Sequence, residues 1–398
     1  MKVEIKELIR ICPICNGDHG RILHTQQFQI PVEYQLPSSY DVISCTRCGF
    51  VFADSSARQE NYDHYYEYLS KYGDKTVGTG GGLTDWDKSR LDEVAKAIAT
   101  FLPRKAKILD MGCANGGMLL SLKKQGFDNL VGIDPSERCV KNCQEQGFEA
   151  YQSNIFSTDL LAFSEEFDCI ILSHVLEHIY DLNGAVQQLD SLLKRDGCIY
   201  VEVPDASRYK DFYVIPNYYF DCEHINHFSI GSLNNLFFKE GFQNIYSSRK
   251  VLHPNHIPYP AVYCIYKKAL QSNNNIVPEF DVIDSIEQYL KISRESNYKD
   301  LIHQFYESKE PLVVWGAGSY TLRLLGETQL SKCNILFFVD KDENKQGKEI
   351  NGIQIYSPEF LVKENYSGTI LICTALYSKD IERELSGYDF EGESYIIR

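Results

Sequence analysis

KILDMGCANGGMLLSLKKQG, residues 107–126, turns an unbroken apolar run into a stretch of helical periodicity through a bend of small residues. KILDMGC has the character of a strand buried on both faces, and GGMLLSLKKQG spaces its leucines as a helix does. Small residues at such a bend let the backbone approach a ligand closely. The next apolar stretch, LVGIDPS (130–136), ends in Asp134, whose carboxylate can accept hydrogen bonds from two ribose hydroxyls. Strand, small-residue turn, helix and acid-terminated strand describe a nucleotide-type βαβ unit. The letters at 112–117 also fit G-x-A-x-x-G, so the loop by itself admits a nicotinamide dinucleotide.

Outward from this unit the pattern continues. EAYQSNI (149–155), FDCIILSHVLEHI (167–179) and GCIYVEVPD (197–205) read as further strands, and the alternation over 97–250 predicts a parallel α/β sheet. The asparagine-rich QSNNNIVPE (271–279) reads as a linker. Beyond it a second α/β unit follows in PLVVWGAGS (311–319), NILFFVDKD (334–342) and TILICTALY (369–377). Its loop, Gly316-Ala317-Gly318-Ser319, lacks a third glycine, so both a structural turn and a ligand loop stay open there. A chain of 398 residues is too long for one ordinary core. The expected division is a cysteine-rich domain over 1–60, a domain with the nucleotide-type loop over 61–275 and a Rossmann-like domain over 276–398.

Cys12-Pro13-Ile14-Cys15 and Cys45-Thr46-Arg47-Cys48 are two CxxC pairs among thirteen cysteines. Each presents two sulfurs from one tight knuckle, and two knuckles complete a closed tetrahedral set for structural zinc; the plain alternative is four buried thiols. The odd cysteine count suits a reducing compartment. A formal charge of −15 opposes attraction to nucleic acid or an anionic membrane, and residues 1–60 carry six Lys/Arg against seven Asp/Glu. No apolar signal core or membrane-length run is present, so the expected location is the cytoplasm. NYDHYYEYLSKYGDKTVGTGGGLTD (61–85) reads as a loop or lid, or as tyrosines packing on the next domain.

CEHINHFS (222–229) concentrates Glu223, His224 and His227 in five positions of a chain with ten histidines. It admits proton transfer, a metal site or structural histidines. Taken together, the acid two residues before Gly112, IDPS after the second strand and FDCIILSHVLEHI resemble the class I S-adenosylmethionine-dependent methyltransferases. That resemblance implies that Asp110, Gly112 and Gly116 line the methionine end, that Asp134 holds the ribose and that Asn154 and Ile155 flank the adenine. Ala114, Pro135, Ser173 and His174 complete the expected cofactor-binding set.

The order of parts, a four-cysteine knuckle, a methyltransferase core containing EHxxxFS and a C-terminal Rossmann-like unit, resembles the C-methyltransferases of nucleotide-linked keto-sugars. By that resemblance Glu223, His224, His178 and Tyr66 lie beside the acceptor. The chain departs from the pattern at Asp221, where the family has tyrosine, and at Leu69, where it has histidine. Carbon becomes nucleophilic only when a proton is removed beside a carbonyl, so a base and enolate-stabilising donors are needed. His224 or His178 suits the base, Glu223 would orient or charge an imidazole, and Tyr66 or Tyr219 would donate to the oxygen. Two other readings are an O-methyltransferase on a sugar or related metabolite, and a zinc-stabilised nucleotide or nucleic-acid binding module with a non-catalytic fold.

Overall fold

A computed structural model of the chain describes residues 4–68, 80–269, 275–388 and 390–397. It opens with β1 (Ile5–Glu7), β2 (His19–Gln27), β3 (Ser39–Cys45) and β4 (Val51–Asp54), each antiparallel to the next. Helices α1 (Gln59–Tyr68) and α2 (Asp85–Ala99) follow. The middle of the chain runs β5 (Ile108–Met111), α3 (Gly117–Lys124), β6 (Leu130–Asp134), α4 (Glu137–Glu145), β7 (Glu149–Gln152) and β8 (Phe167–Ser173). It continues α5 (Leu182–Leu192), β9 (Leu193–Pro204), β10 (Asn226–His227), α6 (Ile230–Lys239), β11 (Phe242–Leu252) and β12 (Tyr259–Lys268). The last part holds α7 (Asp281–Glu295), α8 (Tyr298–Ser308), β13 (Leu312–Trp315), α9 (Ser319–Glu327), β14 (Ile335–Val339), β15 (Glu349–Ile350) and β16 (Ile353–Tyr356). It ends with α10 (Glu359–Lys363), β17 (Thr369–Ile372), α11 (Ser378–Gly387) and β18 (Ser394–Ile396).

The central sheet has the order β11-β12-β9-β8-β5-β6-β7, parallel except for β12, which runs antiparallel between β9 and β11. Its inner strands are buried on both faces. Ile108 and Ile171 pack under α2 and α3, while Leu109 and Ile170 face α5 and α6, which explains their unbroken apolar letters. The strand order reverses between β5 and β8, and in open α/β sheets the crevice at such a point receives the ligand. A second Rossmann-like sheet, β15-β16-β14-β13-β17-β18, is parallel except at β15. The expected α/β class with a Rossmann-like core is what the chain adopts.

Two local expectations come out differently. The aromatic run from Asn61 begins as a helix rather than a loop, because Tyr62, Tyr65 and Tyr66 fall at helical spacing and bury one face of α1. Residues 69–79 of that stretch, with Leu69, lie outside the described residues, but Gly80 is packed on the small-residue bend, its carbonyl accepting the Gly117 N–H at 3.0 Å. The end of the expected linker is likewise anchored. Val277 exchanges two hydrogen bonds with the Asn235 side chain, and the Glu279 N–H donates to the Cys48 carbonyl. Helix α7, beyond that linker, buries Ile286 and Tyr289 against Tyr209, Tyr219 and Phe220 of the middle segment.

The N-terminal sheet takes its fifth strand from the middle of the chain: β10 pairs antiparallel with β4, Asn226 opposite Phe52 and His227 opposite Val51. Buried Arg10 fixes this junction by donating to the carbonyls of Ile225 at 3.3 Å and Tyr180 at 2.5 Å, with its guanidinium over the Tyr180 ring. Its backbone N–H donates to Asp54 at 2.7 Å. Arg10→Ala strands those buried carbonyls and opens a void, so the folded state is expected to lose about 2–4 kcal/mol. Urea unfolding followed by circular dichroism measures this; an unchanged midpoint would show that the junction does not depend on Arg10.

Candidate active site

A cavity of about 290 Å³ lies over the strand reversal. Gly112, Ala114, Asp134, Pro135, Asn154, Ile155, Ser173 and His174 line it, together with Trp86 and Arg90 of α2. Gly112, Ala114 and Gly116 all have left-handed φ, at +78°, +44° and +80°, and a side chain on Gly112 would come within 2.8 Å of Val175. This is a backbone cradle closed to larger residues. Asp134 turns the loop by accepting the N–H groups of Ala114 and Ser136, each at 2.9 Å, and a carboxylate with about four acceptor sites retains capacity for a diol. The cradle and acid fit the nucleoside and methionine ends of S-adenosylmethionine.

Asp110 and Gly116 are not on the cavity wall. Asp110 is buried behind the bend, and Gly116 packs against Cys143 and Gln146 as the cap of α3. Their contribution is to shape the loop and its field. Burial, with the charge of Asp134 added, pushes the Asp110 carboxyl up to about 7 from 3.8. Burial raises Asp134 to about 6, moderated by the two backbone N–H groups.

The remainder of the cavity is lined by Tyr66, Glu177, His178, Tyr218, His224 and Tyr259. His178 Nδ1 lies 3.0 Å from the Glu223 carbonyl and 2.7 Å from the Tyr66 hydroxyl. The rings of His178 and His224 meet edge to face, centroids 4.8 Å apart. Burial keeps His178 below its ordinary value of 6.5, which favours the neutral imidazole. Glu177 is fully buried: Oε1 is 3.1 Å from His174 Nδ1, and Oε2 has no hydrogen-bond partner among the described residues. His174 also lies 3.2 Å from Glu202, so although burial opposes its charge, the two carboxylates raise its pKa.

The carboxylate beside the two imidazoles is therefore Glu177 rather than Glu223. The Asp221 side chain accepts the N–H groups of Glu223 at 2.9 Å and His224 at 2.8 Å, and this turn sends His224 into the cavity and Glu223 away from it. Glu223 instead accepts from Tyr65 at 2.8 Å and faces a separate, smaller pocket beside Gly318 and Lys345. Tyr219 is also displaced: its ring stacks on Tyr209 at 3.7 Å in the core and its hydroxyl donates to the Phe212 carbonyl, leaving Tyr218 on the cavity wall. His227 is buried against Phe220, and burial drives it down to about 3, so it stays neutral and structural. A metal set of His224, His227 and Glu223 does not assemble.

Cys12, Cys15, Cys45 and Cys48 converge, all buried, with Sγ separations of 3.6 Å for Cys12–Cys48 and 3.4 Å for Cys15–Cys45. Four thiolates about 2.3 Å from one ion sit about 3.8 Å apart, so the set suits tetrahedral coordination. Lys239 of α6 ties this knuckle to the core by donating to the carbonyls of Pro13 and Ile14. In the C-terminal unit, Asp340 accepts from the Ala317 N–H at 2.7 Å and from Lys345 at 3.1 Å. The GAGS loop is built on the same principle as the 112–117 bend, but a lysine faces its acid.

Part of the chain is similar to known methyltransferases. Residues 86–247 match a family described as a methyltransferase domain, and residues 308–396 match one described as C2185-like, N-terminal. The chain is 30% identical over 122 residues to the bovine mitochondrial ubiquinone biosynthesis O-methyltransferase, covering 28% of this chain and 33% of that enzyme. It is 22% identical over 342 residues to the C-methyltransferase NovU of Streptomyces niveus, covering 80% of this chain and 76% of the relative. Among solved structures, the 1,6-didemethyltoxoflavin-N1-methyltransferase of Burkholderia thailandensis aligns at 16% identity with a TM-score of 0.40, over 56% of this chain and 96% of its own. The chain thus carries an S-adenosylmethionine-dependent methyltransferase domain, and its match to the bovine enzyme spans a third of that relative.

The raised acids carry a pH signature. An acid whose folded pKa exceeds its unfolded value stabilises the fold below the unfolded value and loses that contribution as pH rises through the folded one. The cofactor-free chain should lose stability between about pH 4 and pH 7 through Asp110 and Asp134. Asp110→Asn is expected to show a smaller fall in Tm from pH 5 to pH 8 than the unaltered chain; equal falls would mean that the aspartate is not held neutral by burial.

Proposed function

We propose that this chain transfers a methyl group from S-adenosylmethionine to carbon, beside the carbonyl of a small-molecule acceptor, with a nucleotide-linked keto-sugar as the acceptor class. The observation that carries the reading is the pair of imidazoles, His178 and His224, set against a buried carboxylate in the cavity the cofactor loop also lines. A similarity to a C-methyltransferase that extends over 80% of the chain, well beyond the methyltransferase domain, supports carbon over oxygen as the methylated atom. We also propose that the four cysteines hold one structural zinc ion. Thirteen cysteines without a disulfide agree with a cytoplasmic location.

When bound, S-adenosylmethionine supplies an electrophilic methyl group on a good leaving group, so what remains for the protein is position and proton transfer. His224, partly exposed in the cavity, takes the proton beside the acceptor carbonyl. Glu177 faces the imidazolium that results, and its negative charge favours that charged form. His178 Nδ1 donates to the Glu223 carbonyl, which leaves Nε2 as the lone-pair nitrogen and fixes the ring beside His224. The Tyr66 hydroxyl, accepting from the same Nδ1, directs its own proton to the enolate oxygen. Arg90 donates to Ser173 at 2.9 Å and to Asp87 at 2.9 Å, holding the cavity wall at the end of β8.

A base of this kind contributes roughly 10²- to 10⁴-fold. His224→Asn is therefore expected to keep thermal stability and cofactor affinity while turnover falls by about 10²-fold or more. Proton removal can be read separately from methyl transfer. In deuterated water with S-adenosylhomocysteine bound, a keto-sugar acceptor should exchange its α-hydrogen on the unaltered chain and not on His224→Asn. Lost turnover with retained exchange would transfer the base to His178, and unchanged turnover would refute the role given to His224.

A further inference from the structure

Glu177, His178 and His224 form a cluster of donors whose nearest nitrogen and oxygen atoms all lie within 4.8 Å of one another. We propose that they constitute a second metal site, which takes a divalent transition ion through one carboxylate oxygen and two imidazole nitrogens and blocks the acceptor part of the cavity. Three independent features point to it.

The first is Glu177 Oε2, which belongs to a side chain with no exposure and has no hydrogen-bond partner among the described residues. An ionised oxygen buried in that state is costly, and a cation is one of the few partners that can satisfy it. The second is the support behind each ligand. Glu177 Oε1 is engaged by His174, which is itself held by Glu202, and His178 Nδ1 is engaged by the Glu223 carbonyl. Outer partners of this kind fix the carboxylate and leave the other imidazole nitrogen pointing its lone pair at an ion. The third is access: His224 is only partly buried and both histidines line the cavity, so an ion can enter and complete its shell with water.

Two imidazoles and a carboxylate suit zinc or a neighbouring first-row ion rather than magnesium or calcium, which prefer all-oxygen shells. Bonds of about 2.1 Å place tetrahedral donors about 3.4 Å apart, so binding draws the three groups inward, with His224 as the mobile member. The nitrogen lone pair given to the ion is the one that would otherwise take the acceptor's proton. Occupation therefore inhibits the reaction proposed above, and the inference rests on that reading only for its consequence, not for the binding itself.

Cobalt(II) titrated into the full chain, after its four-cysteine site has been saturated with zinc, tests the proposal. One further equivalent should bind with visible d–d absorption and without a thiolate charge-transfer band. His224→Ala and Glu177→Gln should each weaken that equivalent at least tenfold, with circular dichroism confirming that the variants are folded. Methyl transfer by the unaltered chain should fall over the same cobalt range and return on dialysis. No second equivalent, a thiolate band, or binding unchanged in folded His224→Ala overturns the site. If cobalt binds as expected but the α-hydrogen exchange is absent, the metal site stands and the acceptor chemistry fails; the reverse pattern sinks only the metal site.

Discussion

The backbone pairing of Asn226–His227 with Val51–Phe52 is the constraint on which the site depends. It makes the segment before α6 part of the N-terminal sheet while His224, two residues before Asn226, still reaches the cavity. The Ile225 N–H donates to the Glu177 carbonyl, and the Asn226 side chain donates to the carbonyls of Leu176 and Ile179. The short turn carrying Glu177 and His178 is thereby locked to the strand beside His224. From the other side, buried Arg323 of α9 donates to the carbonyls of Pro216 and Asn217 at 2.7 and 2.6 Å. All three parts of the chain fix one irregular segment, which explains how a loop can hold the cavity's side chains in defined positions.

Charge is managed by the same economy of neighbours. Glu202 is completely buried, and against the pull of burial Lys250, His174 and Arg90 hold its carboxyl well below the usual range. His174 then bridges to Glu177, so one imidazolium serves two buried carboxylates. Removing any partner from such a chain leaves an uncompensated charge in low dielectric, a change that typically costs about 3–5 kcal/mol. This network ends at Glu177 Oε2, which is buried with no hydrogen-bond partner among the described residues. His174 adopts a left-handed φ of +58° to make these contacts, a backbone cost of the kind concentrated at functional positions.

The regular parts of this arrangement were legible in the sequence. Periodicity and small residues located the 107–126 bend and the acid at 134, and doubled CxxC spacing located the cysteine cluster, because these features are set by local geometry. Glu177 was in view within HVLEH, yet nothing in spacing distinguished it from Glu223. Which of two glutamates reaches the cavity is decided by the turn that Asp221 imposes, and which of Tyr218 and Tyr219 faces inward is decided by packing of α7 some seventy residues later in the chain. Both are tertiary effects on irregular backbone, where no period exists to read. In the tyrosine run, the packing alternative holds for Tyr62 and Tyr66, which sit at helical spacing against Tyr209, Tyr219 and Phe220, although the glycine-rich composition that follows suggests a loop.

Carbon methylation can be read on the product itself. The full chain, S-adenosylmethionine labelled with ¹³C in its transferable methyl group and a panel of nucleotide-linked keto-sugars would be incubated together and followed by ¹³C–¹H correlation. The geometry of His178, His224 and Glu177 predicts a labelled methyl in the aliphatic C–CH₃ region with coupling to the adjacent sugar carbons, formed only when the acceptor carries a carbonyl beside the methylated position. A labelled methyl in the O–CH₃ region, formed equally well on acceptors without that carbonyl, would contradict it.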